Sequence, residues 1–396
     1  MFLNVLMRRN PDFIRAVVRL HQLGKIPANS YVLDLDALSH NLDVLGAEAL
    51  RLGLKIIPMT KQIGRNPAAL RLMKQKGMGA CVAVDMADAD AVRNAGLDVG
   101  HLGHLVQVPR AEAERAARMK PYYWTVFSEE KAKEAANASM TLGHTQALLA
   151  RIFDGEDTFY SGHEGGFPVQ RLLETARMLD ALPGTRFAGV TTFPALLYDN
   201  SKKEICPTHN LKTISAAAKA LKMAGFSDVE VNAPGTTSSV VMAKLAEAGA
   251  TQIEPGHGLT GTTPLHAIQD LPELPAMLYV SEVSHSYGGR AYCFGGGLYI
   301  DPVFPDYEVS ALVGSDAEEA MHNRIPCDIP SPAAIDYYAQ LHPSGKEVFE
   351  GDTVILGFRA QAFVTRAFVT AVSGVSTGSP TVEGVYDVYG RARSEQ

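Results

Sequence analysis

Short apolar, β-prone runs alternate with amphipathic helical segments over the first two thirds of the chain. The apolar runs lie at residues 55–60, 79–84, 99–106, 122–127, 147–153, 186–193, 228–232 and 251–254. The segments between them are rich in Ala, Leu, Arg and Glu, as at 85–95, 129–141 and 208–224. This alternation indicates a parallel sheet built of β-α-β units. Eight repeats over about 200 residues predict a closed (β/α)8 barrel of the TIM type. An open doubly wound sheet is the alternative, although no GxGxxG motif follows the first run.

The pattern changes after residue 275. Long helical segments stop, and Gly and Pro separate short β-prone runs such as 278–283, 291–294 and 353–358. Before the barrel lie a leading amphipathic helix and the strand Tyr31–Asp36. We therefore predict three parts: an N-terminal segment (1–40) that packs with the C-terminal domain, a barrel (41–275), and a C-terminal, mostly β domain (276–396).

Composition narrows the class of protein. The 46% hydrophobic and 20% charged residues among 396 are typical of a soluble globular protein. A net charge of −7 gives no electrostatic argument for nucleic acid binding. No run is long and apolar enough to span a membrane, and the N-terminus resembles no signal peptide. Four widely spaced cysteines, at 81, 206, 293 and 327, are typical of reduced thiols. We expect a cytoplasmic protein without a membrane or nucleic acid partner.

The segment Lys55–Lys61 is an apolar strand that ends in a lysine. TIM barrels keep their active sites at the C-terminal ends of their strands. A half-buried amine at such a position is shifted toward its neutral form, which can attack an aldehyde. Lys61 can therefore form a Schiff base with pyridoxal phosphate. Taken alone, the segment is better explained by an ordinary surface lysine at a strand end, so the assignment depends on the rest of the chain.

Two loops have the composition of a phosphate site. Asn232–Ser239 follows the seventh predicted strand and opens a helix with one glycine and several hydroxyl residues. Backbone N–H groups at a helix N-terminus bind anions. Glu254–Gly258 follows the eighth strand and contains two glycines, which allow close backbone approach. TIM barrels commonly bind phosphate after strands seven and eight. Hydroxyl residues that merely cap a helix are the alternative.

Glu254 adds a carboxylate beside these loops. A carboxylate there can pair with a pyridinium nitrogen, keep the ring protonated and make the cofactor a stronger electron sink. A surface glutamate would be the simpler interpretation if this residue stood alone.

Together these features resemble a known superfamily. Tyr31–Leu38, Lys61, the Gly235 loop, Glu254-Pro255-Gly256 and the C-terminal β domain are similar to the alanine racemase/ornithine decarboxylase superfamily, the fold type III pyridoxal phosphate enzymes. The resemblance covers nearly the whole chain and is strongest to the YhfX-type branch. It implies that Lys61 is the lysine that carries the cofactor. The phosphate binders that it implies are Gly235, Thr236, Thr237, Ser238, Ser239, Gly256 and His257.

The chain departs from alanine racemases in two places. Lys61 is followed by Gln62–Arg65, where alanine racemases have a Tyr-Gly-His element whose tyrosine helps to bind phosphate. Glu254 stands where alanine racemases place an arginine against the ring nitrogen, and it resembles the decarboxylases in this respect. The stronger electron sink widens the possible reactions to elimination and decarboxylation.

A racemase needs one acid/base group on each face of the substrate Cα. Lys61 can serve one face. For the other, Tyr287 lies in a Ser-Tyr-Gly element similar to that of racemases, and Cys327 and Asp328 resemble the Cys-Asp element of decarboxylases, which comes from the partner subunit. We rank Cys327 and Asp328 ahead of Tyr287 because Tyr287 follows Glu254 more closely than in racemases. A buried structural thiol and a packed tyrosine are the alternatives. Either assignment implies a homodimer with a shared active site.

Three further segments bear on the chemistry. The glycine-rich loop Tyr160–Gly166 could face the cofactor or substrate, or form a surface turn. His101 and His104 are predicted to point to opposite faces of a strand, which argues against a shared metal ion. Arg359-Ala360-Gln361 stands where D-serine dehydratases and D-threonine aldolases of the superfamily carry a metal-binding pair, and arginine is not a metal ligand. We therefore predict no metal site.

The sequence thus predicts a pyridoxal phosphate-dependent enzyme that acts at the Cα of an amino acid. An amino-acid racemase, an isomerase, is the first choice because racemisation needs two acid/base groups and no metal. A decarboxylase or other lyase is the runner-up, favoured by Glu254 and Cys327. A pyridoxal phosphate carrier without turnover is a further alternative, although such carriers lack a C-terminal β domain. A barrel enzyme without this cofactor, in which Lys61 is incidental, is the last. The amino-acid substrate is not identified by the sequence.

Overall fold

The computed structural model describes residues 1–299, 308–331 and 334–393. The chain divides into two units. The barrel unit comprises Asp43–Thr60 and Met73–Gly258, and the β unit comprises Met1–Leu42, Lys61–Leu72 and Leu259–Gln396. Among the described residues, every helix is too short or too polar to cross a lipid bilayer.

The strands of both units, in chain order, are β1 (Ser30–Asp34), β2 (Lys55–Ile56), β3 (Ala80–Val82), β4 (Asp98–Leu102), β5 (Tyr123–Val126), β6 (Gln146–Phe153), β7 (Phe167–Pro168), β8 (Thr185–Thr191), β9 (Leu196–Asp199), β10 (Glu204–Pro207), β11 (Glu230–Asn232), β12 (Gln252–Ile253), β13 (Met277–Tyr287), β14 (Arg290–Phe294), β15 (Ser310–Gly314), β16 (Arg324–Asp328), β17 (Tyr338–Leu341), β18 (Thr353–Leu356), β19 (Phe368–Ser373) and β20 (Thr381–Tyr386). The α-helices are α1 (Phe2–Arg9), α2 (Pro11–Gln22), α3 (Leu35–Arg51), α4 (Pro67–Gln75), α5 (Met86–Asn94), α6 (Ala113–Met119), α7 (Glu129–Thr141), α8 (Leu172–Ala181), α9 (His209–Met223), α10 (Met242–Glu247) and α11 (Ala317–His322).

The barrel unit contains a curled parallel sheet with the strand order β2-β12-β11-β8-β6-β5-β4-β3. Backbone hydrogen bonds also join its two edge strands. Val82 N donates to the backbone oxygen of Pro58 (2.9 Å), and Met59 and Val82 form a parallel bridge. The strands are mostly apolar and buried because helices cover the sheet, as expected of parallel sheets. The predicted (β/α)8 barrel is confirmed.

The β unit is built around a mixed sheet with the order β14-β17-β16-β15-β18-β13-β1-β19-β20. An additional pairing of β13 with β14 closes the strands β13 to β18 into an antiparallel barrel. Strand β1 pairs antiparallel with β13 and parallel with β19. Helices α1 and α2 share a hydrophobic core with these strands, which includes Phe13, Val17, Val32, Leu278 and Ile355. The N-terminal segment therefore joins the C-terminal β domain, as predicted.

A buried histidine in α2 makes the stability of the β unit depend on pH. Burial lowers the pKa of His21 to about 4, and Nδ1 lies 2.8 Å from Oγ1 of Thr353. As the pH falls below 6.5, His21 becomes protonated in the unfolded chain, whereas in the folded chain it stays neutral until about pH 4. We therefore expect the free energy of unfolding to fall by about 3 kcal/mol over this window. Urea unfolding of the wild type and of His21→Phe at pH 7 and pH 4.5 checks this. Equal pH dependence of the two proteins would contradict it.

Candidate active site

Glu254 directly follows β12 at the C-terminal end of the barrel strands, and its side chain is fully buried. Its Oε1 accepts hydrogen bonds from Nδ1 of His101 and from Nδ2 of Asn232 (2.9 Å). Its Oε2 has no hydrogen-bond partner among the described residues, and Nε2 of His104 lies 3.9 Å away. A buried carboxylate oxygen without a donor is costly. A proton donor placed at Oε2 would remove this cost.

Neighbouring strands hold the residues that contact Glu254. His101 lies on β4, and its Nε2 is 2.5 Å from Oγ1 of Thr125 on β5. Asn232 ends β11, and its Oδ1 accepts a hydrogen bond from Oγ1 of Thr191 on β8 (2.7 Å). All of these side chains are buried. The orientation of Glu254 is therefore set by a polar layer that four barrel strands provide.

His101 and His104 lie on the same side of the chain, and the prediction that they point to opposite faces is wrong. Their rings stack with centroids 5.0 Å apart and an interplanar angle of 29°. Strand β4 ends at Leu102, and Gly103 adopts a φ of 77°, so the alternation of a strand does not extend to His104. Within the described residues, no group of three or more His, Cys, Asp or Glu side chains is arranged to hold a metal ion.

The two predicted phosphate loops are in close backbone contact with each other and with the barrel. A Cβ on Gly258 would lie 2.5 Å from the backbone oxygen of Thr237, and one on Gly235 would lie 2.6 Å from the backbone nitrogen of Leu196. Oγ of Ser238 is buried without a hydrogen-bond partner in the described part of the chain. The two loops are thus closely packed, and Ser238 holds a buried hydroxyl group that the described residues leave without a partner.

The close approach at Gly235 predicts that a side chain there is destabilising. Gly235→Ala places a methyl group against rigid backbone atoms of Leu196, so the loop must shift. We expect it to lower the free energy of unfolding by about 1–3 kcal/mol. Gly155→Ala is the matched control, since nothing lies within 4 Å of its Cβ position, and we expect it to change stability by less than about 0.5 kcal/mol. Urea unfolding measures both, and equal effects of the two substitutions would refute the argument.

Thr60 fixes the end of the first barrel strand. Its Oγ1 lies 2.8 Å from Oδ2 of Asp88 and 3.2 Å from the backbone oxygen of Val82. The backbone N–H of Val84 also donates to Oδ2 of Asp88 (2.8 Å). Thr60 is buried and immediately precedes Lys61 in the chain. The backbone that leads into Lys61 is therefore held by several hydrogen bonds.

Lys61 begins a short 3-10 helix, Lys61–Ile63, in the β unit and is half-buried. Its Nζ lies 5.8 Å from the ring centroid of Phe363. The nearby guanidinium group of Arg65 is buried, donates to the backbone oxygen of Val388 (2.9 Å) and lies over the rings of Phe363 and Tyr389.

The predicted second acid/base groups lie on β13 and β16 of the β unit, which are not paired with each other, and they differ in exposure. Tyr287 ends β13 and is 77% exposed. Asp328 ends β16, is exposed, and lies 2.7 Å from Nε2 of His342. The alternation of β16 turns Cys327 inward, where burial raises its pKa well above the usual range and keeps the thiol protonated. Tyr287 and Asp328 are therefore accessible at the surface of the chain, whereas the thiol of Cys327 is not.

Arg151 was missed by the sequence analysis, whereas His163 lies in the loop 160–166 that it considered. Arg151, near the end of β6, is fully buried, and its Nη2 donates to the backbone oxygens of His163 (3.1 Å) and Phe193 (3.2 Å). Its guanidinium group lies 4.8 Å from the ring centroid of Phe127, and burial lowers its pKa to about 10. These contacts attach the loop 160–166 to the barrel. The available signal was the single charged residue in an otherwise apolar strand.

A parallel (β/α)8 barrel, combined with a β domain whose sheet takes in the N-terminal strand, is the architecture of the alanine racemase class of proteins. Comparison with known families agrees. Residues 33–264 match the alanine racemase N-terminal domain, and residues 278–382 match the YhfX-like C-terminal domain. The chain is 38% identical over 392 residues to the uncharacterized protein YhfX of Escherichia coli (strain K12), and the match covers 99% of each chain. The protein therefore belongs to the YhfX family of alanine racemase-like proteins.

Solved structures of several activities share this fold. D-threonine aldolase from Filomicrobium marinum superposes with a TM-score of 0.69 at 18% identity, over 93% of this chain and 97% of that one. Alanine racemase of Clostridium difficile 630 in complex with cycloserine gives 0.63 at 16% identity, over 92% and 99%. D-threo-3-hydroxyaspartate dehydratase from Delftia sp. HT23 gives 0.61 at 16% identity, over 91% and 96%. At these identities the similarity establishes the fold alone, and it agrees with the predicted superfamily.

Proposed function

We propose that this protein is a pyridoxal phosphate-dependent enzyme that acts at the Cα of an amino acid, and that it is an amino-acid racemase. The observation that carries the proposal is the buried carboxylate of Glu254. One of its oxygens is engaged by His101 and Asn232, and the other has no donor among the described residues. A ring N–H of the cofactor would satisfy that oxygen. Membership of the alanine racemase-like family supports the same cofactor.

Different residues of this chain would bind the cofactor and transfer the proton. Lys61 would attach the cofactor covalently and exchange a proton at one face of the substrate Cα. Glu254 would keep the ring nitrogen protonated. Gly235, Ser238 and the Gly256-His257-Gly258 loop would hold the phosphate. The bound cofactor withdraws electrons from the substrate Cα and so makes its proton removable.

The second face of the substrate requires a group that Lys61 cannot supply. We propose that it comes from a second copy of the chain in a homodimer, as the resemblance implies. The burial of Cys327 now favours Tyr287 or Asp328. We therefore place these two ahead of the thiol, whereas the sequence alone ranked Cys327 with Asp328.

Solvent exchange at Cα separates these candidates. If Tyr287 serves the second face, Tyr287→Phe should slow racemisation by about 10²–10⁴, while exchange of the Cα proton of one enantiomer in ²H₂O persists through Lys61. Cys327→Ser should leave both rates nearly unchanged because the buried thiol stays protonated. Proton NMR of each enantiomer of a panel of amino acids measures both rates. Unchanged racemisation in Tyr287→Phe would move the role to Asp328, which Asp328→Asn tests.

An amino-acid lyase is the second candidate. The carboxylate of Glu254, in place of the arginine of alanine racemases, favours it because a protonated ring stabilises negative charge more strongly. The similarity to an aldolase and a dehydratase is consistent with it at the level of the fold. Product analysis distinguishes the candidates, since a racemase gives the opposite enantiomer, whereas lyases give an amine, an aldehyde or a keto acid.

Visible absorbance of the purified protein tests the proposed cofactor. We expect a band that disappears on borohydride reduction, and peptide mapping that places the reduced adduct on Lys61. The absence of a band, even after pyridoxal phosphate is added, would overturn the proposal and leave Lys61 as an ordinary lysine at a strand end.

A further inference from the structure

We propose that His101 and Asn232 are positioning residues that orient Glu254, so that its Oε2 alone is presented to the ring nitrogen of the cofactor. This inference rests on the proposed function and gives His101 and Asn232 a role that the sequence did not assign to them. His101 and Asn232 reach Glu254 from β4 and β11, and both bind the same oxygen, Oε1. Two donors on one oxygen fix the rotation of the carboxylate group.

The surrounding hydrogen bonds determine which atoms donate. Oε1 of an ionised Glu254 has no proton to give, so Nδ1 of His101 is the donor. With Nδ1 as the donor, Nε2 can accept from the hydroxyl group of Thr125, 2.5 Å away. Asn232 is held in the same way, because its Oδ1 accepts from Oγ1 of Thr191. Each donor to Glu254 is thus itself fixed by a hydroxyl group on a neighbouring strand.

The carboxylate of Glu254 can pair with a cationic donor such as the protonated ring nitrogen of the cofactor. Glu254 and the stacked His104 are the titratable groups that face His101, and Thr125 and Asn232 are uncharged. The carboxylate of Glu254 is the acidic group of this cluster. A buried charge is stable only when it is paired. A protonated ring nitrogen at Oε2 supplies both the missing hydrogen bond and the compensating charge.

The positioning role predicts an effect that general packing does not. A second buried histidine–glutamate pair lies in the β unit, where Nε2 of His266 is 3.4 Å from Oε2 of Glu273 and Nδ1 is 2.6 Å from Oγ1 of Thr263. Both histidines are buried and each contacts a threonine hydroxyl group. Loss of either should lower stability. Only the loss of His101 should change how the cofactor is bound.

The test compares His101→Phe, His101→Asn, Asn232→Leu and the control His266→Phe. Titration with pyridoxal phosphate gives the dissociation constant, the absorbance of the bound cofactor reports the protonation of its ring, and thermal unfolding of the cofactor-free protein reports stability. His101→Phe and Asn232→Leu should each raise the dissociation constant by about tenfold or more and shift the absorbance of the bound cofactor. His101→Asn, whose side-chain N–H can replace Nδ1–H, should stay within about threefold of the wild type. His266→Phe should lower the melting temperature and leave the dissociation constant unchanged.

The outcomes separate this inference from the proposed function. If the wild type binds the cofactor but His101→Phe and Asn232→Leu have an unchanged dissociation constant and spectrum, the positioning role alone is wrong. A wild type that forms no adduct on Lys61 overturns the proposed function and this inference with it. If His101→Phe does not fold, the other two variants decide the question. An unchanged dissociation constant in Asn232→Leu would contradict the role of Asn232. A tenfold higher dissociation constant in His101→Asn would contradict the role of the Nδ1–H group of His101.

Discussion

Replacing Lys61 with alanine is expected to abolish the reducible link between protein and cofactor. Lys61 supplies the proposed amine, and it directly follows Thr60, which is held by hydrogen bonds to Asp88 and Val82. Pyridoxal phosphate would then be held by the loops and Glu254 only, so it should dissociate readily and turnover should be lost. Borohydride reduction followed by peptide mapping measures the link, and dialysis followed by absorbance measures retention of the cofactor.

Lys55→Ala is the matched control for this experiment. Lys55 begins β2, six residues before Lys61 in the chain, but its side chain is 61% exposed and pairs with Glu230. A surface ion pair contributes little to stability, about 0–1 kcal/mol, so Lys55→Ala should fold and keep the adduct on Lys61. A reduced adduct that survives Lys61→Ala and maps to another lysine would disprove the central assignment.

The sequence predicts the fold well because the relevant patterns are local. Each barrel strand is a short apolar run, and each connecting helix has its own amphipathic repeat. The alternation therefore indicates β-α-β units without knowledge of distant contacts. The positions of Lys61, Gly235 and Glu254 follow from the same pattern, since the ends of parallel strands lie at one end of a barrel. The structure bears out the barrel, and the roles of these residues stay predictions.

The network around Glu254 could not be predicted in the same way. His104 approaches Glu254 because the chain leaves β4 at Gly103, and a strand pattern does not reveal where the strand ends. The hydrogen bonds from His101 and Asn232 join residues more than twenty positions apart in the chain. The inward position of Cys327 depends on which face of β16 meets the core, and only the paired strands decide that. Tertiary contacts, rather than local pattern, set these features.

Replacing Glu254 with glutamine is expected to leave the adduct on Lys61 in place and to slow the chemistry at Cα. Glutamine has nearly the same size and still accepts at one oxygen, but it carries no charge to keep the ring nitrogen protonated. The cofactor then withdraws electrons less strongly. Loss of a preorganised electrostatic contact of this kind lowers rates by about 10²–10³. Exchange of the Cα proton in ²H₂O, measured at saturating cofactor, reports this step directly.

Glu273→Gln provides the matched control because Glu273 is also a buried glutamate beside a histidine, but it belongs to the β unit. It should affect stability and leave the exchange rate per folded, cofactor-loaded molecule unchanged.

The size of the effect at Glu254 also bears on which reaction the protein catalyses. Racemisation proceeds in enzymes that place arginine at the ring nitrogen, so it tolerates a weaker electron sink, whereas elimination and decarboxylation depend on the stronger one. A rate in Glu254→Gln that stays within a few-fold of the wild type would show that the carboxylate does not act on the ring, and it would remove the main argument for a lyase.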